Sequence, residues 1–519
     1  MTKSLINNSY PIDIWGIKKI GVETWLDNYY IPVLGEEYSK IYEYVIHKYI
    51  QIFCNKSLDN RKYLIGVANI KICKIITNFI FQLIRIERLS KNGYIYLIGK
   101  EITKIEDIQH KFSNVYVFYE SFFWNQQTSR TYSIYSIIFS LLKKILNKHL
   151  TIGFNFGSYP EEMKVYCKEM NIIPAYFYRY SFAKRHKHFS SSSLFYKNTC
   201  KLVNNISNHY PIIIPHVKNL IQEITTFLKN SEYLFNNSLF YLKRFNLGSL
   251  LASGSGSPVN RIIIAAWKEA GGKTVGFPHG NTYATCYDKI HIDSDALSIV
   301  SELFASSKGQ AKLLNKLKCD HSRGLKLAQV TFPKKSLYIS LFNQKQKEPP
   351  VKKIKRVMIL GYPMNTVIYP SFFSQHSFAN LKLELTLCRI LKENNYFVIY
   401  KAHPDRWKEV EFIFNNFTDK IIIEPFEKCY SLADCIVFSY SRTTTFGFAL
   451  LTKKPIVLVN LNEIMWDNYA FKLTSKRCQI VNAVSNDNDE ILFNKKEFLN
   501  AIEASVTTIC YDVVHKFAL

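Results

Sequence analysis

Short apolar runs, each closed by a turn-forming or polar group, recur through the last third of the chain. Val357-Met358-Ile359-Leu360 runs into Gly361-Tyr362-Pro363, Tyr396 to Tyr400 into Lys401-Ala402-His403-Pro404-Asp405, and Asp434 to Phe438 into Ser439-Tyr440-Ser441-Arg442-Thr443-Thr444-Thr445. Runs that do not alternate with polar residues fit strands buried on both faces of a parallel sheet. Ile421–Ile423 and Ile456–Val459 extend the set. Between the runs, Phe378 to Lys392, Trp407 to Asn415, a stretch around Tyr430 and the segment from Thr444 read as helices. Strands alternating with helices predict an α/β fold, a parallel doubly wound sheet.

The first part of the chain carries the same signal less plainly. Candidate strands are Tyr94–Ile98, Val115–Tyr119, Ile152–Phe156, Ala175–Tyr178 and Thr274–Phe277. Ile212 to Phe245 reads as an amphipathic helix and Asn260 to Ala270 as another, with Gly248 to Pro258 between them as a Gly/Ser loop. Asn343 to Arg356 is charged, contains Pro349-Pro350 and lacks apolar periodicity, which marks a linker. With 519 residues, two cores are expected. The expected division is 1–342 as the first Rossmann-like domain, 343–356 as linker, 357–495 as the second, and 496–519 as a helical segment packing back on the first.

Composition narrows the class. An apolar fraction of 47% with 15% aromatics supports packed interiors. The formal charge of +26 comes partly from a sequence rich in Lys, Ile, Asn, Tyr and Phe. The remainder points to anionic partners: nucleotide phosphates, an acidic glycan or an anionic membrane surface. The basic residues are dispersed, with neither an aromatic RNA-binding strand nor a recognition-helix pattern, so nucleic acid is not the expected partner. No stretch has the roughly 18 to 20 uninterrupted apolar residues of a membrane span; Ile75–Ile86 and Ile137–Leu146 are short and flanked or broken by Lys and Arg. The first residues lack the apolar core of a signal peptide, and the 11 cysteines form no C-x-x-C pair. A cytoplasmic protein, peripheral to the inner face of a membrane, is the expectation.

The chemistry-bearing residues sit where strands end. Open α/β sheets bind ligands outside the carboxyl ends of their strands, and helix N-termini favour anions. Lys401 and His403 bring donor groups to one such end, where Pro404 fixes the loop; alternatively His403 satisfies a buried carbonyl. Ser439, Ser441, Thr443 and Thr444 offer hydroxyls at a helix start, and Arg442 a bidentate contact; the plain alternative is an N-cap run. Glu424 ends the intervening strand. In the first part, His279 follows a strand and precedes Gly280-Asn281, and Gly254-Ser255-Gly256 form a loop fit for an acceptor, or a connector. Glu162 beside Glu161, or equally Glu120, offers a carboxylate base at a strand end, although acids at helix starts are commonly only solvated. Lys184 to His188 is a basic run suited to an acidic acceptor or to solvent. Asp293-Ser294-Asp295 has the letters of a metal motif without the strand-end placement, so no metal is expected.

Taken in order, Val275-Gly276-Phe277-Pro278-His279-Gly280, Lys401-Ala402-His403-Pro404 and Asp434 through Leu451 with Lys454-Pro455 resemble the GT-B glycosyltransferase superfamily. The likeness is to bacterial surface-polysaccharide enzymes: CDP-glycerol glycerophosphotransferases, capsular Kdo transferases and polysialyltransferases. It covers about half of the chain, roughly residues 250 to 475. It implies two Rossmann-like domains facing a cleft, with no cofactor beyond a nucleotide-activated donor as substrate. His279 would be base or phosphate ligand, and His403 would bind donor phosphate. The family often carries Asp-Tyr-Ser-Ser where this chain has Ser439-Tyr440-Ser441-Arg442, so nothing assigned to that acid carries over. The implied reaction moves a sugar or polyol phosphate from a CMP- or CDP-linked donor to a bacterial surface glycan, the acceptor being an anionic or lipid-linked glycan. The alternatives are a non-catalytic GT-B-like scaffold at the membrane and a nucleotide-sugar epimerase of the same fold.

Overall fold

The computed structural model describes residues 8–11, 14–29, 35–55, 58–98, 151–155, 160–176, 193–243, 248–253, 258–278, 297–320, 325–362, 375–403, 407–441, 443–461, 466–485 and 491–519. The architecture is α/β, with two Rossmann-like units built on parallel, doubly wound sheets. The first sheet has six strands: β3 (Thr151–Asn155), β4 (Ile172–Tyr176), β5 (Ser249–Ala252), β6 (Lys273–Gly276), β7 (Glu302–Phe304) and β8 (Gln329–Thr331). They lie in the order β4-β3-β5-β6-β7-β8, all parallel. Before them, β1 (Ser9–Pro11) and β2 (Tyr96–Ile98) pair with each other as a separate two-stranded ribbon. The expected strand at Tyr94–Ile98 therefore lies outside the six-stranded sheet, and that at Val115–Tyr119 outside the described residues.

The second sheet has seven: β9 (Arg356–Leu360), β10 (Phe397–Lys401), β11 (Lys420–Ile422), β12 (Cys435–Phe438), β13 (Ile456–Asn460), β14 (Gln479–Ser485) and β15 (Ile491–Phe493). Their order is β11-β10-β9-β12-β13-β14-β15, parallel except for β15. Five of these match the apolar runs within a residue or two, because strands covered by helices on both faces must be apolar throughout. β14, whose polar residues Gln479, Asn482 and Ser485 break the run, and β15 are not foreshadowed by such runs.

Two sequence expectations change. Gly248 to Pro258 is not one loop. Ser249–Ala252 is β5, wholly buried between β3 and β6, because four small or apolar residues suffice for a short central strand. The charged segment 343–356 is not a free tether either. The helix Ile339–Lys345 runs into it, and Lys345 Nζ reaches Tyr430 Oη at 2.7 Å.

Each end of the chain crosses to the other unit. The helices Ile14–Ile20 and Val22–Asn28 lie against helices of the second unit. Trp25 meets Phe378, Trp15 stacks on Phe412, and Arg389 pairs with Asp27 at 2.8 Å. In return, the helix Asp512–Phe517 docks on Lys308–Asp320 of the first unit, where Gly309 leaves room for the carbonyl of Lys516. Among the described residues no single helix is long and apolar enough to cross a membrane; Asn60–Ala68 and Ile72–Lys91 together have the length, but are bent by 46°.

Candidate functional site

Reversal of strand order is what opens a crevice at a sheet's carboxyl edge. In the second sheet the chain moves from β9 outward through β10 to β11, then returns to the other side of β9 with β12. The switch point lies between β9 and β12. Lys401, Leu360 and Phe438 are in register on β10, β9 and β12. His403, Tyr362 and Tyr440 thus each stand two residues past that level, beyond the ends of three neighbouring strands spaced about 4.8 Å apart.

Under this edge lies Glu384, wholly buried on the helix Gln375–Glu393. It accepts hydrogen bonds from the Tyr362 amide (2.8 Å), Tyr400 Oη (2.9 Å) and Ser439 Oγ (2.7 Å). Burial pushes its carboxyl up to about 7, against the opposing pull of those three donors. Ser439 is thus committed inward, to Glu384, and its hydroxyl supports the edge from below. Tyr362 and Tyr440 meet edge to face above it, with ring centroids 4.8 Å apart.

Lys401 is buried and donates to the carbonyl of Ala402 at 2.6 Å. Burial lowers its pKa, while nearby Cys429, Glu427 and Glu424 oppose that shift. His403 is half-buried at the loop that follows, and Glu424 is exposed beyond β11. Ser441 is buried. Thr443 is the N-cap of the helix Thr444–Leu451, its Oγ1 accepting from the Phe446 amide at 3.1 Å, while Thr444 is exposed at the helix start. The N-cap reading of that run therefore holds for Thr443. The far end of the same helix is braced by Arg477, fully buried, which donates to the carbonyls of Ala449, Leu450, Thr452 and Lys454. Cap and brace together fix where the helix N-terminus stands.

At the first sheet the switch point falls between β3 and β5. Glu162 opens the helix Glu161–Glu169 and is buried, with Oε1 accepting from Ser306 Oγ at 3.2 Å. Tyr338, pushed up to about 12 by burial and then by the charge of Glu162, completes the cluster. Glu162 is thus a packed group at the root of its helix, beside the residues that follow β7. His279, Gly280, Asn281, Gly254, Ser255, Gly256, Glu120, Pro404, Arg442, Asp293, Asp295 and the basic run 184–188 lie outside the described residues. Among those described, no group of three or more His, Cys, Asp or Glu could hold a metal ion.

The acid at the centre of the second edge was not singled out from the sequence. Its signal was there: Glu384 stands in Phe378, Leu381, Leu385 and Cys388, an apolar stripe at helical spacing, where a lone acid demands buried partners.

No family model matches the chain, and no curated protein matches it. Among solved structures, the crystal structure of UDP-N-acetylglucosamine 2-epimerase is similar at 11% identity, with a TM-score of 0.34, covering 72% of this chain and 91% of that one. The fold assignment rests on the order and direction of the strands themselves.

Proposed function

We propose that the chain is a metal-independent transferase that moves a sugar or polyol phosphate from a nucleotide-activated donor, CMP- or CDP-linked, to a bacterial surface glycan. The observation that carries the reading is the register of β10, β9 and β12, which ends the strand before the His-Pro motif and the strand before the Ser/Thr motif at one level, on either side of β9. A nucleotide phosphate there would meet His403, Ser441, the exposed Thr444 and the start of the Thr444–Leu451 helix, with Arg442 and Pro404 in the same loops. Lys401 would supply positive charge from beneath, and Glu424 would reach a ribose from the side. The preference for cytidine nucleotides rests on the motif resemblance. The acceptor, an anionic or lipid-linked glycan, is assigned to the first unit, where the Gly254–Gly256 loop, Gly280, Asn281 and His279 would hold it, with Glu162 or Glu120 as alternative bases. Work on such an acceptor would place the protein in the cytoplasm against the inner face of a membrane, to which the charge of +26 suits it.

A melting-temperature panel with CMP, CDP, UDP, GDP and ADP tests the reading, because a ligand that binds only the folded form raises the transition. Stabilisation by a cytidine nucleotide, lost in His403→Ala, is expected. A flat response to all five would leave a scaffold without donor chemistry.

A further inference from the structure

A buried acid with three donors from three separate elements is more than packing requires. Tyr362 follows β9, Tyr400 is on β10 and Ser439 follows β12, so the Glu384 carboxyl ties together the three strands around the switch point. Its Oε1 alone bridges the two segments that flank the crevice, Gly361–Tyr362 and Ser439–Ser441. The approach is close: a Cβ on Gly361 would lie 2.5 Å from Tyr400 Oη. A helix position in an apolar stripe would be filled at lower cost by Leu or Met, since a buried carboxyl gives up its hydration.

We propose that Glu384 is a positioning residue, whose carboxyl group holds the two strand-end segments, and with them the Tyr362–Tyr440 pair and Ser441, in the arrangement that a ligand at this edge meets. The identity of that ligand as a nucleotide rests on the function proposed above; the tie between the segments does not. An ionised carboxyl only accepts hydrogen bonds and so suits all three donors, whereas a protonated one carries a donor of its own and must release or reorient a partner. Burial holds this carboxyl up at about 7, so the change falls near neutrality. Among the described residues, the titratable groups coupled to it are Tyr400 from β10 and Cys388 from its own helix. Burial pushes both well above their ordinary values, so both stay neutral over that range.

Hydrogen exchange on the full chain, from about pH 5.5 to about pH 8.5 and corrected for intrinsic rates, reads the tie directly. In the parent, protection of the Tyr362 amide and of 439–441 should rise through neutrality. In Glu384→Gln it should be about tenfold lower at the upper end and flat with pH, with β9 and β10 unchanged. Tyr400→Phe, which removes one donor and keeps the ring, should move the midpoint upward, and stands in should the Gln variant not fold. Protection at Tyr362 that is equal in parent and variants, with the same pH profile, overturns the proposal. A flat nucleotide panel with the exchange behaviour intact would sink the donor reading and leave the positioning role supported. Nucleotide stabilisation with no effect of Glu384 on exchange would do the reverse.

Discussion

Both sheets reverse their strand order once, and they finish their carboxyl edges differently. At the second sheet the polar groups turn inward on a buried carboxyl: Tyr362, Tyr400 and Ser439 all serve Glu384. At the first sheet they turn sideways, toward the chain end. Ser307 Oγ caps the helix Lys308–Asp320, accepting from the Gln310 amide at 3.0 Å, and donates to the carbonyl of Phe517. Ser336 donates to the carbonyl of Ala518. Glu162 sits next to this joint through Ser306 and Tyr338. One edge is braced against itself, and the other is braced against the C-terminal helix. Damage at the first should spread through the whole molecule, while damage at the second should stay local to the ligand edge.

The largest break is expected at the joint. In Gly309→Leu the new Cβ would fall 1.8 Å from the carbonyl oxygen of Lys516. Undocking the last helix should cost about 3 kcal/mol or more, read as a lower urea midpoint. Arg477→Met comes next, at about 2 to 4 kcal/mol, because it strands the carbonyls closing the Thr444–Leu451 helix. Its effect on nucleotide stabilisation should exceed that of Gly309→Leu relative to its effect on melting, since it acts on the helix whose start faces the edge.

A pH series sharpens the contrast. The Glu384 carboxyl titrates near 4.5 when unfolded and about 7 when folded, so the folded chain binds more protons between those values. Its contribution to stability is therefore greatest at acid pH, falls as pH rises through that window by on the order of 3 kcal/mol, and is constant above it. Glu384→Gln should remove that slope in denaturant titrations. A carboxyl that lowers stability at neutral pH is what a positioning role at a binding edge entails.

Smaller effects follow. Thr443→Ala removes the N-cap hydrogen bond and should cost about 1 kcal/mol, with a loss of nucleotide stabilisation if anions bind there. Lys316→Ala breaks the ion pair with Asp467 that spans the two units at 2.8 Å. Because Lys316 is largely exposed, the loss should stay within about 1 kcal/mol and fade with added salt. A larger loss would mean that the joint depends on charge and not on the docked helix.

The second unit was largely legible in the chain and the first was not. The runs at 357–360, 397–400 and 435–438 must be apolar because both sheet faces are covered, and that leaves an unmistakable pattern. Ser249–Ala252 and Glu302–Phe304 are strands of the same kind, but each has only two large apolar residues, beside Ser, Ala or Glu, and so does not stand out from loop or helix. The motif residues were legible, but not all of their partners were: Ser439 read as a ligand group and donates to a buried acid.

Residue order alone determined the alternation of strand and helix, the parallel class that follows from it, and the strand-end address of the histidine and hydroxyl motifs. The three-dimensional arrangement decided which ends stand side by side, that Glu384 lies beneath them, and that the chain termini cross between units. The reason is range. A strand run or a cap is set by neighbours a few residues away, whereas Tyr362, Glu384, Tyr400 and Ser439 meet only when the sheet has closed around them.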